Sequence, residues 1–275
     1  MRGMTLAAIG LTALIGCTAD VSEPDVVTYD EFKARAYQEP DTGIFIINGD
    51  EPVLNEEGMQ AAYESYLQSV AHAKLREQGL ATASQELIIN RVNGRKDKWD
   101  PQTAANLTYC ISSASFGAQY NNVVNAMNVA ASAWESATFG RVNFIHAAWL
   151  DGNCTTATGV VFNVRGRDTS DYAARAFFPA EPRPAREVII AYRTLGGQPP
   201  FSLAGILRHE LGHALGFRHE HTRPGGAARC FEDYNWRELT PYDRASVMHY
   251  PSCGGTQTGD LVLTGFDVSG VRSVY

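Results

Sequence analysis

Four of the chain's seven histidines fall within HELGHALGFRHEH, residues 209–221. On a helix, side chains four residues apart share a face, so His209 and His213 can grip one metal ion together. Glu210 projects about 100° round the helix from His209, beside such an ion but not bound to it. That place suits a general base acting on metal-bound water. Gly216 stands where the amphipathic pattern would otherwise continue. Glycine accepts the left-handed conformation that ends a helix, which lets the chain turn and bring His219 back to the same ion. Three imidazoles with an open position make a catalytic zinc site, whereas a closed set of four makes a structural one. Three histidines would also accept cobalt or copper. His221 lies outside the spacing and reads as a solvated loop histidine.

The elements that must hold these residues follow from periodicity. Ser202 is a good N-cap for a helix running through Leu215. Ahead of it the pattern alternates between strand and helix. Strands are expected at 107–112, 141–149, 160–166, 174–179 and 186–195, with a helix over 121–138 whose apolar face carries Val124, Met127, Ala131 and Trp134. Further upstream, residues 30–37 form a helical turn or two and 43–53 read as a strand entering an Asn48-Gly49-Asp50 turn. Residues 56–79 have a helical period, and 86–92 read as another strand. Beyond Arg223 the chain reads as loop-rich to its end.

The 275 residues allow one sizeable core with a smaller appendage. Between Cys17 and Arg95 there are 14 acidic and 6 basic residues, and from Lys96 onward 16 of each, so the net charge of −7 belongs to the first third. No basic stripe suggests nucleic acid. The apolar run Met4–Gly16 is too short to span a bilayer but fits a signal-peptide core, and Leu14-Ile15-Gly16-Cys17 resembles a bacterial lipobox. Lipidation of Cys17 would anchor the chain without threading it through a membrane; an ordinary secretory signal is the alternative. The remaining four cysteines suit two disulfides in an exported protein, and Cys110–Cys154 with Cys230–Cys253 close the shorter loops.

HELGHALGFRH resembles the zinc motif of the metzincin metallopeptidases, H-E-x-x-H-x-x-G-x-x-H. SVMHY, residues 246–250, is similar to their Met-turn. Glu220, Tyr250 and the HEHTR run resemble the astacin subgroup, and GFRHE with the upstream INGD stretch resembles the bacterial HEIGH-type peptidases. The resemblance spans about residues 100–275 and implies Zn2+ on His209, His213 and His219, with Glu210 as base and then acid. It further implies that Tyr250 is a displaceable fifth ligand that stabilises the oxyanion, that Met248 is an apolar floor, and that ARAFFP (174–179) is the edge strand against which substrate lies. Glu220 would meet the mature N-terminus after processing; His249 has no implied role.

In astacin-like proteins a propeptide aspartate in F-x-G-D blocks the metal. Ile47-Asn48-Gly49-Asp50 is similar without that phenylalanine, and a plain Asn-Gly hairpin is the competing reading. The expected fold is α/β: a twisted, mostly parallel sheet on two long helices, an irregular C-terminal part, and a small N-terminal pro-region across the cleft. The expected division is a signal peptide at 1–16, a tether and pro-region at 17–95, and a catalytic domain at 96–275, with Arg95-Lys96 a candidate cut. The function implied is a zinc endopeptidase made as a zymogen, monomeric, exported as a cell-envelope lipoprotein or secreted, acting on proteins or peptides. A non-catalytic zinc-containing binding module on the same fold is the alternative, and Glu210 argues against it.

Overall fold

The computed structural model describes residues 26–77, 87–222, 230, 232, 236–257 and 259–275. The signal stretch, Cys17 and the Gly79 helix end lie outside them. The chain opens with α1 (Tyr29–Ala34), whose Thr28 and Glu31 form a reciprocal capping box. A small antiparallel sheet follows, β1 (Tyr37–Gln38), β2 (Phe45–Ile47) and β3 (Glu51–Val53), and then α2 (Glu56–Glu77). The β2–β3 register pairs Ile47 with Glu51, which leaves Asn48, Gly49 and Asp50 as the hairpin corner. Asn48 and Gly49 both adopt positive φ, +54° and +99°, as an Asn-Gly turn favours.

The main unit begins with β4 (Ile88–Val92) and β5 (Arg95–Lys96), then the short α3 (Pro101–Ala104), β6 (Leu107–Ile111), the short α4 (Ser113–Phe116) and α5 (Tyr120–Ala137). It continues through β7 (Phe144–His146), β8 (Phe162–Arg167), β9 (Ala174–Arg175), β10 (Glu187–Ala191) and α6 (Leu203–Ala214). β11 (Trp236–Glu238) and α7 (Gly265–Arg272) complete it. Five strands make the central sheet in the order β7-β6-β8-β10-β9. All its pairings are parallel except the edge strand β9, antiparallel to β10. Val164, Val188 and Ile190 face the helices, where Val123, Met127, Trp134, Leu207 and Leu211 fill the core. The opposite face carries Arg165, Glu187 and Ile189, with Arg175 in register beside Ile189.

The expected fold class therefore holds, with differences of extent. The expected strands are mostly shorter, because a strand lasts only while a neighbour pairs with it; ARAFFP contributes two paired residues of its six. The tail is less irregular than expected, for α7 closes it. Thr264 caps that helix, and Asp267 returns the bond to the cap. The Thr-x-x-Asp spacing was the legible signal. Both expected disulfides are formed, Cys110–Cys154 and Cys230–Cys253.

Candidate metal centre

Helix α6 starts where Ser202 accepts from Gly205 N and ends in a two-bond closure. Gly216 N donates to His213 O at 2.7 Å and Phe217 N to Gly212 O at 3.0 Å, with Gly216 at φ +97°. A Cβ on Gly216 would lie 2.1 Å from Asp97 O, so space as well as conformation requires glycine. The chain then pairs with β4 through Asn90 N to Gly216 O and Arg218 N to Ile88 O. Trp99 Nε1 and Tyr275 Oη satisfy two of the last helical carbonyls, Ala214 O and Leu215 O, at 2.8 Å each.

This path delivers His219 to His209 and His213. Their Nε2 atoms lie 3.3 Å (His209–His219) and 3.2 Å (His209–His213) apart. Each ring spends its other nitrogen elsewhere: His209 Nδ1 on Val247 O at 2.7 Å, His213 Nδ1 on Phe217 O at 2.8 Å and His219 Nδ1 on Glu232 Oε1 at 2.6 Å. Those acceptors assign the proton to Nδ1 and leave three Nε2 lone pairs facing one point. A tetrahedral ion with metal–nitrogen bonds of about 2.0–2.1 Å sets its ligand atoms about 3.3–3.4 Å apart, so the donor set fits zinc. Asp50, from the hairpin corner, supplies the fourth atom. Its carboxylate lies 3.2 Å from His219 Nε2, 3.4 Å from His209 Nε2 and 3.6 Å from His213 Nε2. Asp50 Oδ1 and Glu210 Oε2 are buried without a hydrogen-bond partner among the described residues, which again fits a cation among them.

Tyr250 hydrogen-bonds Asp50 through its phenol, and its ring centroid is 4.3 Å from that of His219. Gly49 admits this phenol, since a Cβ there would stand 3.0 Å from Tyr250 Oη. Met248 lies beneath the helix; a Cβ on Gly212 would be 2.3 Å from its sulfur. The apolar floor is thus built on a glycine between two of the histidines. Glu220 is buried, donating N–H to Met248 O and accepting from Asp243 N. Phe178, following β9, meets the His213 ring edge-on at 5.6 Å.

His221 requires a correction. It is 3% exposed, accepts from Tyr250 N at 3.2 Å and lies 3.2 Å from Glu232 Oε1, so it is a buried bridge and not a solvated histidine. Glu232 was not legible as a partner, because nothing in its local sequence ties it to residues more than ten positions upstream. His249 is also buried, between Tyr242 Oη and Tyr250 O.

Burial pushes the Asp50 carboxyl up, but the His219 and His213 rings facing it outweigh burial and hold it well below the usual range. Burial, then repulsion from Asp50, drives Glu210 upward. His219 is driven down by burial yet ends well above its ordinary value, because Asp50 and Glu232 flank it with negative charge. The same two charges would favour any cation there.

The leading segment is fastened at further points. Glu39, fully buried, accepts from Arg175 Nε at 2.8 Å and Nη2 at 3.0 Å, and from Tyr172 Oη at 2.6 Å. Asp41 pairs with Arg167, and Glu51 accepts from Arg218 at 3.1–3.2 Å. Ile44 and Ile46 pack on Tyr172 and Ile189. The acidic excess of the first third is therefore spent partly on cations of the main unit. Burial opposes ionisation of Glu39, but the Arg175 bonds prevail and lower its carboxyl from 4.5 to about 2. A depressed carboxylate stabilises above its unfolded value, and that contribution is lost as pH falls through its folded value. We expect Glu39→Gln to cost about 1–2 kcal/mol at neutral pH, since the amide still accepts one bond. The gap from wild type should close between pH 4.5 and 2 in paired thermal melts; a gap constant over that window would deny the ion pair its role.

Fold and site define a metal-binding α/β protein of the H-E-x-x-H type. Residues 81–222 match the dual-action HEIGH metallo-peptidase family, just over half of the chain, and the chain belongs to that family. The metzincin resemblance read from the motifs is thereby borne out. Among individual proteins, it is 38% identical over 76 residues to zinc metalloproteinase nas-30 of Caenorhabditis elegans, covering 21% of this chain and 10% of that protein. It is 39% identical over 77 residues to high choriolytic enzyme 2 of Oryzias latipes, covering 20% and 28%. A bone morphogenetic protein 1 homolog of Strongylocentrotus purpuratus matches at 29% over 138 residues, covering 37% and 22%. The chain spans less than a third of the length of these relatives. Among solved structures, high choriolytic enzyme 1 of Oryzias latipes, a hatching-enzyme zinc protease, superposes with a TM-score of 0.44 at 18% identity, covering 68% of this chain and 98% of that one.

Proposed function

We propose that this chain is a zinc endopeptidase held as a zymogen by its own first third. The observation that carries the reading is the convergence of three imidazole Nε2 atoms with the Asp50 carboxylate on one point. Zinc bound there would polarise the scissile carbonyl and make water acidic enough to attack at neutral pH. Glu210 takes the proton of the attacking water as the C–O bond forms. It then delivers that proton to the amine as the C–N bond breaks. Tyr250, once Asp50 has left, turns its phenol to the carbonyl oxygen and donates to the developing negative charge. The edge strand β9 offers its free side to an extended peptide backbone.

In this reading Asp50 occupies the place of water and substrate, and Glu39, Asp41 and Glu51 hold it there. The Asn-Gly hairpin and the inhibitory aspartate are then one device, since the turn presents the carboxylate. The pro-region ends after α2, because β4 is paired with both β11 and the Gly216–Arg218 stretch and belongs to the catalytic unit. Arg95-Lys96 lies within the paired β5, so cleavage before residue 87 suits maturation better. The disulfides suit export, by signal peptide with or without lipidation of Cys17.

The test is hydrolysis of a quenched fluorescent casein by the full chain and by Asp50→Ala. Cleavage by the variant that a chelator abolishes and added zinc restores is the expected result. A zinc-loaded variant that cuts neither casein nor a mixed peptide library would sink the catalytic reading and leave a binding module.

A further inference from the structure

The three histidines at the centre are supported unequally. His209 and His213 ride on α6, and their Nδ1 atoms rest on neutral carbonyls, Val247 O and Phe217 O. His219 lies beyond the end of α6, just ahead of the short helical turn Glu220–Thr222, so α6 does not fix its ring. Its Nδ1 is 2.6 Å from Glu232 Oε1, a charge-assisted contact. Glu232 is itself buried and held from several sides. Arg218 Nη2 approaches Oε2 at 3.3 Å, His221 Nε2 approaches Oε1 at 3.2 Å, and Thr222 Oγ1 accepts from its backbone N at 3.0 Å. Cys230, two residues earlier, is bonded to Cys253, which ties this segment to the stretch after Tyr250. His221 Nδ1 accepts from Tyr250 N, so its proton is on Nε2 and points to Glu232.

We propose that Glu232 is a positioning residue for the metal: it fixes the ring and tautomer of His219, the ligand that lies off α6, and strengthens its Nε2 as a donor. The inference rests on the metal-binding reading above. A carboxylate behind a ligating imidazole fixes which nitrogen is free and raises its basicity, and losing it typically weakens metal binding about 10- to 100-fold. Through His221 the same carboxylate is linked to the backbone of Tyr250. His219, His221 and Glu232 also have the spacing of a second cation site. Two features favour hydrogen bonds instead: Arg218 already places a cation on Glu232, and a second ion would strip the remaining proton from His219 while its Nε2 is engaged.

The experiment compares full-length wild type, Glu232→Ala and Glu232→Gln, each first shown to melt cooperatively without metal. Zinc affinity is read by competition with a chromophoric chelator, and ligand geometry by the visible spectrum of the cobalt(II)-loaded protein. One zinc per chain is expected throughout, with affinity falling about 10- to 100-fold in Glu232→Ala and an altered cobalt spectrum. Glu232→Gln keeps an acceptor for Nδ1–H without the charge, so it should recover part of the loss and most of the spectrum. If the alanine variant does not fold, the glutamine variant carries the test through its smaller affinity loss. Wild-type affinity and spectrum in the foldable variants would overturn the proposal. Two zinc ions in wild type and one in the variants would overturn it too, by making Glu232 a ligand. A wild type that binds no zinc would instead bring down the metal-centre reading itself.

Discussion

Asp50→Ala should turn the full-length chain into an active peptidase, raising casein hydrolysis about 10- to 100-fold over wild type. The estimate follows from the contact removed: charge-assisted bonds are worth about 1.5–3 kcal/mol, and each 1.4 kcal/mol is a factor of ten in occupancy. The Asp50 carboxylate meets His209, His213, His219 and the Tyr250 phenol, so its loss empties the open position and frees Tyr250 together. The hairpin should survive, because Asn48 and Gly49 set its turn and the Glu39–Arg175 and Glu51–Arg218 pairs remain. The rise is therefore partial, and trimming the first third should add to it. Equal initial rates for wild type and variant, at equal zinc content, would reduce Asp50 to a turn residue.

Glu210→Gln in the Asp50→Ala background should lower kcat about 10²- to 10⁴-fold, the usual worth of a positioned proton-transfer group. The amide has nearly the same shape, which matters because Glu210 is 3% exposed within α6. Zinc content should be unchanged, since in the proposed site His209, His213 and His219 would hold the ion without it. Measuring kcat and bound zinc on the same sample separates a lost base from a lost metal. A variant retaining a tenth or more of the activity would exclude Glu210 as the base.

Much of this centre was legible because its chemistry is local. His209 and His213 share a face by helical geometry, and Gly216 announces the turn that returns His219. The hairpin corner was legible for the same reason: Asn48-Gly49 is a turn signal in itself. The capping box that starts α7 is equally local, but an eight-residue helix has too short a period to stand out from a loop-rich tail.

Apart from the disulfides, contacts between distant segments were not fixed by the sequence, which left Asp50 open between a metal block and a plain hairpin turn. The sequence by itself determined the spacing on which His209, His213 and His219 are proposed as metal ligands and Glu210 as base, the disulfide pairing favoured by short loops and the alternation that builds a parallel sheet. In each case the deciding physics acts over a few residues, through helical pitch, turn conformation or loop length. Only the tertiary structure decided that Glu39 is buried against Arg175, that Asp50 reaches the histidines and that His221 is a buried bridge to Glu232. These are choices of partner among many charged side chains. They are settled by which groups packing removes from water together, because an unpaired buried charge is too costly to keep.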